Sequence, residues 1–246
     1  MEINFILILL VFLACIQSIL GIEILVLGTP IFLLLNFNLP EILELLLPVS
    51  IVTSFTTLIF IKHYNKNVFS LVDKKINYYF FSICLPAIFF GLLLLNLYNE
   101  IIDFKVLVSI IILFSLLIKY LYKKKIQTVP KNIKKILMFT IGVIHGLTNS
   151  GGTILSLFFS NTNKNTLKLA RINITYFYLL IAFFQFLIFS FLFNALPKLD
   201  QVIVFFIIGM IGSFLGNFII KLISEELFKY IIELLAIFSA LFLLFK

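Results

Sequence analysis

An all-α membrane protein of about eight apolar segments is the fold class this sequence predicts, and three observations predict it. First, 62% of the 246 residues are hydrophobic and 12% charged, against about 45–50% and about 25% in an ordinary soluble domain. Second, the apolar residues gather in runs long enough to cross about 30 Å of hydrocarbon at about 1.5 Å per helical residue. Third, runs such as 172–193 lack the alternating polarity of a membrane β-strand. With no water to satisfy free backbone groups in lipid, such runs become helices.

The segments fall near residues 4–36, 41–61, 78–97, 104–122, 134–160, 168–193, 202–220 and 227–245. Within the first, Ile6 to Ile16 could pass for a signal-peptide core, but Glu2 is acidic, no basic stretch precedes it and no small-x-small site follows. It is read as membrane-embedded. The second segment opens at Leu39-Pro40-Glu41, with proline in the first turn and Glu41 and Glu44 near the positive end of the helix dipole. Polar stretches at 65–75 and 123–132 separate later segments. The first and fifth segments exceed a simple crossing and are interrupted, by Gly21, Gly28, Thr29 and Pro30 and by Gly146 to Gly152. Both read as broken helices, because proline removes a donor and glycine disfavours helix.

A register placing Gly91 on Gly216 and Glu100 on Glu225 continues, after one residue of slippage, with Lys105 on Lys229 and Ser115 on Ser239. Residues 1–125 and 126–246 are therefore read as two four-segment repeats. Internal duplication is typical of secondary transporters. An even number of crossings per half predicts parallel repeats, unless one segment is re-entrant.

The net charge of +8 resides largely in lysines of connecting stretches, such as Lys123, Lys124, Lys125, Lys131, Lys134 and Lys135. That pattern indicates orientation in a membrane rather than a nucleic-acid partner. Placing both termini in the cytoplasm groups most Lys and Arg on that side and leaves Lys164, Lys168 and Arg171 opposite. The expected location is the cell membrane, multi-pass, as in a bacterial inner membrane. Cys15 and Cys84 lie apart in apolar segments and imply neither a disulfide framework nor a metal site.

A break at membrane depth frees backbone groups, and the half-helix that follows turns its positive end, a natural anion site, toward the gap. Candidate solute-binding positions are Gln17, Gly28, Thr29 and Pro30 in the first break and Asn149, Ser150, Gly151, Gly152 and Thr153 in the second. The plainer role of the glycines is close helix packing. Glu23 is a candidate coupling site, since a central acid costs about 2.5–3.5 kcal/mol to insert; its plainer role is an interfacial carboxylate. His145 is a candidate proton partner or a packed side chain. Arg171 is a candidate for drawing an anion toward the break before it, or a headgroup anchor. Ser50, Thr53, Asn173 and Thr175 are secondary lining candidates. Glu233 pairs with Lys229 one turn earlier and needs no function.

The stretch Gln17 to Pro30 resembles the first glycine-rich motif of the TauE/SafE family, with Pro40 opening the next helix; Gly146 to Gly152 and Gly212 to Glu226 extend the resemblance over almost the whole chain. Glu23 stands where the family pattern has glycine. The resemblance implies two four-helix halves and transport of small anions, including sulfite and organosulfonates, without nucleotide hydrolysis. No Walker-type sequence, metal-binding H-E-x-x-H or nucleophile elbow is present. A gradient-driven permease is the leading reading, with no cofactor and with lipid and a small anion as partners; a homo-oligomer is compatible. A channel or structural subunit is the alternative, and a membrane-embedded enzyme ranks below both.

Overall fold

The computed structural model describes residues 3–20, 24–64, 68–121, 130–161 and 167–220, with 222, 224, 230, 234, 237, 240, 241 and 243–245. Among them the regular structure is entirely helical. The order is α1 (Ile3–Leu20), α2 (Ile24–Leu34), α3 (Leu39–Tyr64), α4 (Lys74–Tyr79), α5 (Leu85–Tyr98), α6 (Phe104–Leu121), α7 (Lys131–Thr148), α8 (Gly152–Asn161), α9 (Leu167–Phe193) and α10 (Leu199–Ile219). A 3-10 turn, Val68–Leu71, precedes α4, and a π-helical stretch, Phe80–Cys84, fuses α4 to α5. Four rods are long and apolar enough to cross a membrane: Leu39–His63, Lys74–Tyr98, Leu169–Phe193 and Leu199–Ile219.

Local chemistry sets the helix starts and irregularities. Asn38 and Glu41 form a reciprocal cap on α3, each side chain accepting from the other's amide at 2.9 Å. Asp73 caps α4 through the amides of Lys75 and Ile76, and Asp103 caps α6 through that of Lys105. Pro86 has no N–H for the Ser82 carbonyl, and one residue earlier the Leu85 amide reaches five residues back, to Phe80.

The first and fifth sequence segments are broken, as expected, and each doubles back instead of continuing. Gln17 bonds Ile24 while Gly28 packs on Leu13, so contacts climb α1 as they descend α2. The two are antiparallel limbs of a hairpin. α3 then runs parallel to α1, with Gln17 beside Ser50 and Ser18 beside Thr57. α7 runs parallel to α4–α5, Gly142 meeting Cys84 and Gly146 meeting Ile88. α9 starts beside α4, where Asn173 bonds Asp73, and ends where α3 and α6 begin, since Phe189 and Phe193 share a cavity with Leu39 and Phe104. Hairpin α1–α2 therefore enters from the end where α3 begins, and hairpin α7–α8 from the opposite end. An α1 limb of 18 residues reaches roughly 27 Å, close to the hydrocarbon thickness.

The two ends differ in charge. Glu41, Glu44, Glu100, Asp103 and Asp200 stand at the end where α3, α6 and α10 begin, with Lys105 and Lys198. Lys62, Lys74, Lys75, Lys131, Lys134, Lys135 and Arg171 stand at the other, with Asp73. These are termed the acidic and basic ends. Residue 3 lies at the acidic end, as do Leu243 and Leu244, which line the cavity there. In the fold, residue 3 and residues 243 and 244 thus stand at the end opposite the lysines of 131–135, not with them, because each hairpin doubles back and each return flips the side of everything after it.

Helix contacts rest on backbone approach and aromatic packing. Gly212 and Gly216 of α10 abut Ala14, Cys15 and Ser18 of α1, and Gly91, Gly142 and Gly146 bring α5 and α7 equally close, as small residues do where no hydrophobic force drives helices together. Phe159 stacks on Phe177 at 5.4 Å and Phe80 meets Phe177 at 5.8 Å. Such pairs, each worth about 0.5–1.5 kcal/mol beyond area burial, pin α8 and α4–α5 to α9.

Candidate functional site

The first hairpin is organised by one side chain. Gln17, in the last full turn of α1, accepts from the Ile24 amide through Oε1 at 3.0 Å, satisfying one of the amides orphaned at the start of α2. Its Nε2 donates to the Ser54 hydroxyl at 2.7 Å and to the Ser50 carbonyl at 3.1 Å. All are buried. Gln17 closes the hairpin and fastens it to α3.

Of the four expected interruptions, Gly21 falls between α1 and α2 and the other three do not. Gly28, Thr29 and Pro30 lie inside α2, so their backbone is not a free amide cradle; the helices part between Leu20 and Ile24. Gly28 serves the plainer purpose, its bare face meeting Leu46 and Leu13. Pro30 leaves the Val26 carbonyl without its helical donor. Thr29 is fully buried and turned to the second hairpin. Glu23 lies outside the described residues.

In the second hairpin, Asn149 ends α7 in the left-handed conformation, φ 64°, its amide bonding the His145 carbonyl at 2.8 Å. Asparagine is among the few residues that visit this region readily. The turn aims its amide across the molecule, where Nδ2 donates to Thr29 Oγ1 at 3.4 Å. Its Oδ1 is buried with no hydrogen-bond partner among the described residues. Beside it the Thr148 and Ser150 hydroxyls lie 2.6 Å apart. At the head of α8 the Leu155 amide bonds the Gly151 carbonyl at 3.3 Å, and the first turn from Gly152 is the positive end of that helix.

α9 supports this corner. The Tyr178 hydroxyl donates to the Gly152 carbonyl and lies 2.6 Å from the Ser156 hydroxyl. Gln185 Nε2 donates to the His145 carbonyl at 3.4 Å, and its Oε1 is buried with no protein partner. His145 is fully buried, its Cβ against Gly151. Thr153 holds its place in the first turn of α8, while its side chain lies outside the description. The sequence reading missed Tyr178, Gln185, Ser54 and Ser18. Helical spacing was the signal: Ser50, Ser54 and Thr57 stripe one face of α3, and Tyr178 and Gln185 lie seven apart on α9.

Two expected members stand elsewhere. Arg171 turns away from the break preceding it and donates to the Ser18 carbonyl at 2.6 Å, at the end of α1. Asn173 bonds the Asp73 amide at 2.9 Å and belongs to the basic end. Ser50 joins Gln17, whereas Thr53 bonds its own helix at Val49.

An open cavity of about 830 Å³ leads in from the acidic end. Leu33 and Phe189 line it, one helical turn beyond Thr29 on α2 and one beyond Gln185 on α9. Neutral donors and the head of α8 thus lie together in the buried interior, with the cavity's lining one helical turn away. Such a corner suits a small anion better than covalent chemistry, and no metal-binding cluster exists among the described residues.

The family model for the sulfite exporter TauE/SafE matches residues 6–243. The chain is a TauE/SafE protein. It is a membrane transporter, not an enzyme, and its helices are those of a polytopic permease. No curated protein and no solved structure matches it. Within this TauE/SafE chain, the match spans both hairpins and every described helix from α2 to α10, so the corner at Asn149 and Thr29 lies inside the matched region.

Proposed function

We propose that this TauE/SafE protein carries a small anion, a sulfite- or sulfonate-type oxyanion or a short carboxylate, by alternately exposing a site formed where the two hairpins meet. One observation carries the reading: Asn149, at the tip of the hairpin from the basic end, touches Thr29 of the hairpin from the acidic end, beside the head of α8. An anion there gains the Asn149 amide, the Thr29 and Ser150 hydroxyls and the helix dipole, and meets no described acid. Gln17, Gly151, Gly152 and Thr153 shape the two tips.

Residues 1–125 and 126–246 are read as inverted repeats. Gln17 and His145 each stand three residues before the end of their hairpin's first limb, and Ile24 and Gly152 each open the second. Re-entrant first segments change the expected parallel relation to an inverted one, the arrangement in which rocking one half against the other moves a midplane site from side to side. The basic end faces the cytoplasm by the positive-inside rule, which puts residue 3 and residues 243–245 on the outer side.

Flux of sulfite, thiosulfate, organosulfonates and short carboxylates into proteoliposomes, with and without a pH gradient, tests the reading. Saturable flux that responds to the gradient is expected. Flux that stays linear with concentration would favour a channel, and the absence of flux for every cargo would refute the substrate class.

A further inference from the structure

Arg171 sits in the first turns of α9, where a cation gains nothing from a helix dipole that is itself positive. Its guanidinium instead reaches α1. One terminal nitrogen donates to the Ser18 carbonyl at 2.6 Å and to Asn217 Oδ1 at 3.0 Å. Ser18 lies in the last turn of α1, whose carbonyls have no helical donors and carry the negative end of that dipole. Asn217 completes the ring, donating to the Ser18 hydroxyl and the Ser213 carbonyl, both at 2.9 Å. The cation is therefore held by a helix end that it suits, on the opposite repeat.

The same stretch of α9 makes further bonds at the basic end: Asn173 to Asp73 and Leu71, and Tyr176 to Asn77. At the acidic end α9 lines the open cavity through Phe189 and Phe193. One helix is thus stitched to the first half at one end and lines the open cavity at the other.

We propose that Arg171 is a positioning residue of the transport cycle: its bond to the Ser18 carbonyl holds the end of α1 against α9, bars the way toward the basic end, and breaks when the site turns to that side. This rests on the alternating-access reading above, but it concerns the gate and not the cargo.

The test needs no solute. A cysteine replaces the buried Ser213, in the full chain carrying Cys15→Ala, and a membrane-impermeant maleimide is added to either face of oriented proteoliposomes. Arg171→Gln is expected to speed labelling from the basic face about tenfold, the factor that 1.4 kcal/mol carries at 25 °C, with no change from the acidic face. Arg171→Lys, which keeps the charge but not the planar fork, should fall between. Unchanged rates, or equal increases from both faces, overturn the proposal. If Arg171→Gln does not fold, Asn217→Ala should give the same one-sided increase, and its failure to do so is equally decisive. One-sided labelling in a protein that moves no tested cargo would retain the gate and reject the proposed substrate.

Discussion

Replacing Asn149 by glycine and by alanine separates the two things this residue does. Its backbone is left-handed, φ 64°, a conformation that costs an ordinary L-residue roughly 1–2 kcal/mol and glycine nothing. Its side chain supplies a buried amide donor, bonded to Thr29 at the long distance of 3.4 Å, so the native bond is at the weak end of the about 0.5–1.5 kcal/mol net range. An anion in its place would form a charge-assisted bond worth about 1.5–3 kcal/mol. Asn149→Gly should therefore remain within about 1 kcal/mol of wild-type stability while KM for the transported anion rises roughly 10- to 150-fold. Asn149→Ala should lose the same affinity and a further 1–2 kcal/mol, approximately, of stability. Initial flux rates against concentration give the first quantity, and survival of the monodisperse protein after heating gives the second. A wild-type KM in Asn149→Gly refutes solute contact, and equal stability of the two variants refutes the backbone argument.

Gln17→Leu leaves the buried Ile24 amide without its side-chain acceptor, at about 1–3 kcal/mol, and the loss should appear as a lower unfolding temperature in the same heating assay. Gly146→Val drives a side chain into the Ile88 carbonyl and should abolish recovery of folded protein in size-exclusion chromatography. Tyr178→Phe removes the hydroxyl that joins Gly152 and Ser156; a stability loss of about 1 kcal/mol and a KM increase smaller than that of Asn149→Gly are expected. Alkaline phosphatase fused after Lys246 should be active and a fluorescent protein at the same position dark; the reverse result would invert the orientation.

The fold class was legible because lipid imposes a composition that no soluble core tolerates, and the breaks were legible because proline and adjacent glycines interrupt apolar runs. Their exact place was not. Proline near the start of a short helix reads the same as proline at a gap, and only the Gln17 bond to Ile24 reveals that α2 has begun six residues before Pro30. Crossing and doubling back also have one composition, since both bury apolar side chains; the difference lies in which contacts climb and which descend. Asn149 and Thr29 were both identifiable as polar residues at membrane depth, but their meeting depends on two hairpins that are 120 residues apart in sequence. The contact of Arg171 with α1 was not legible, because Arg171 meets Ser18 through a carbonyl, and carbonyls carry no sequence signature.

The cavity at the acidic end has an electrical consequence. Solution fills an open space of that size, so it brings the potential of the adjoining compartment to within one helical turn of Thr29 and Gln185. Most of the transmembrane voltage then falls across the remaining wall toward the basic end, which along α9 runs roughly 20 Å from Gln185 to the Arg171 guanidinium. A monovalent ion leaving Asn149 for that surface traverses nearly the whole drop, about 2.3 kcal/mol per 100 mV.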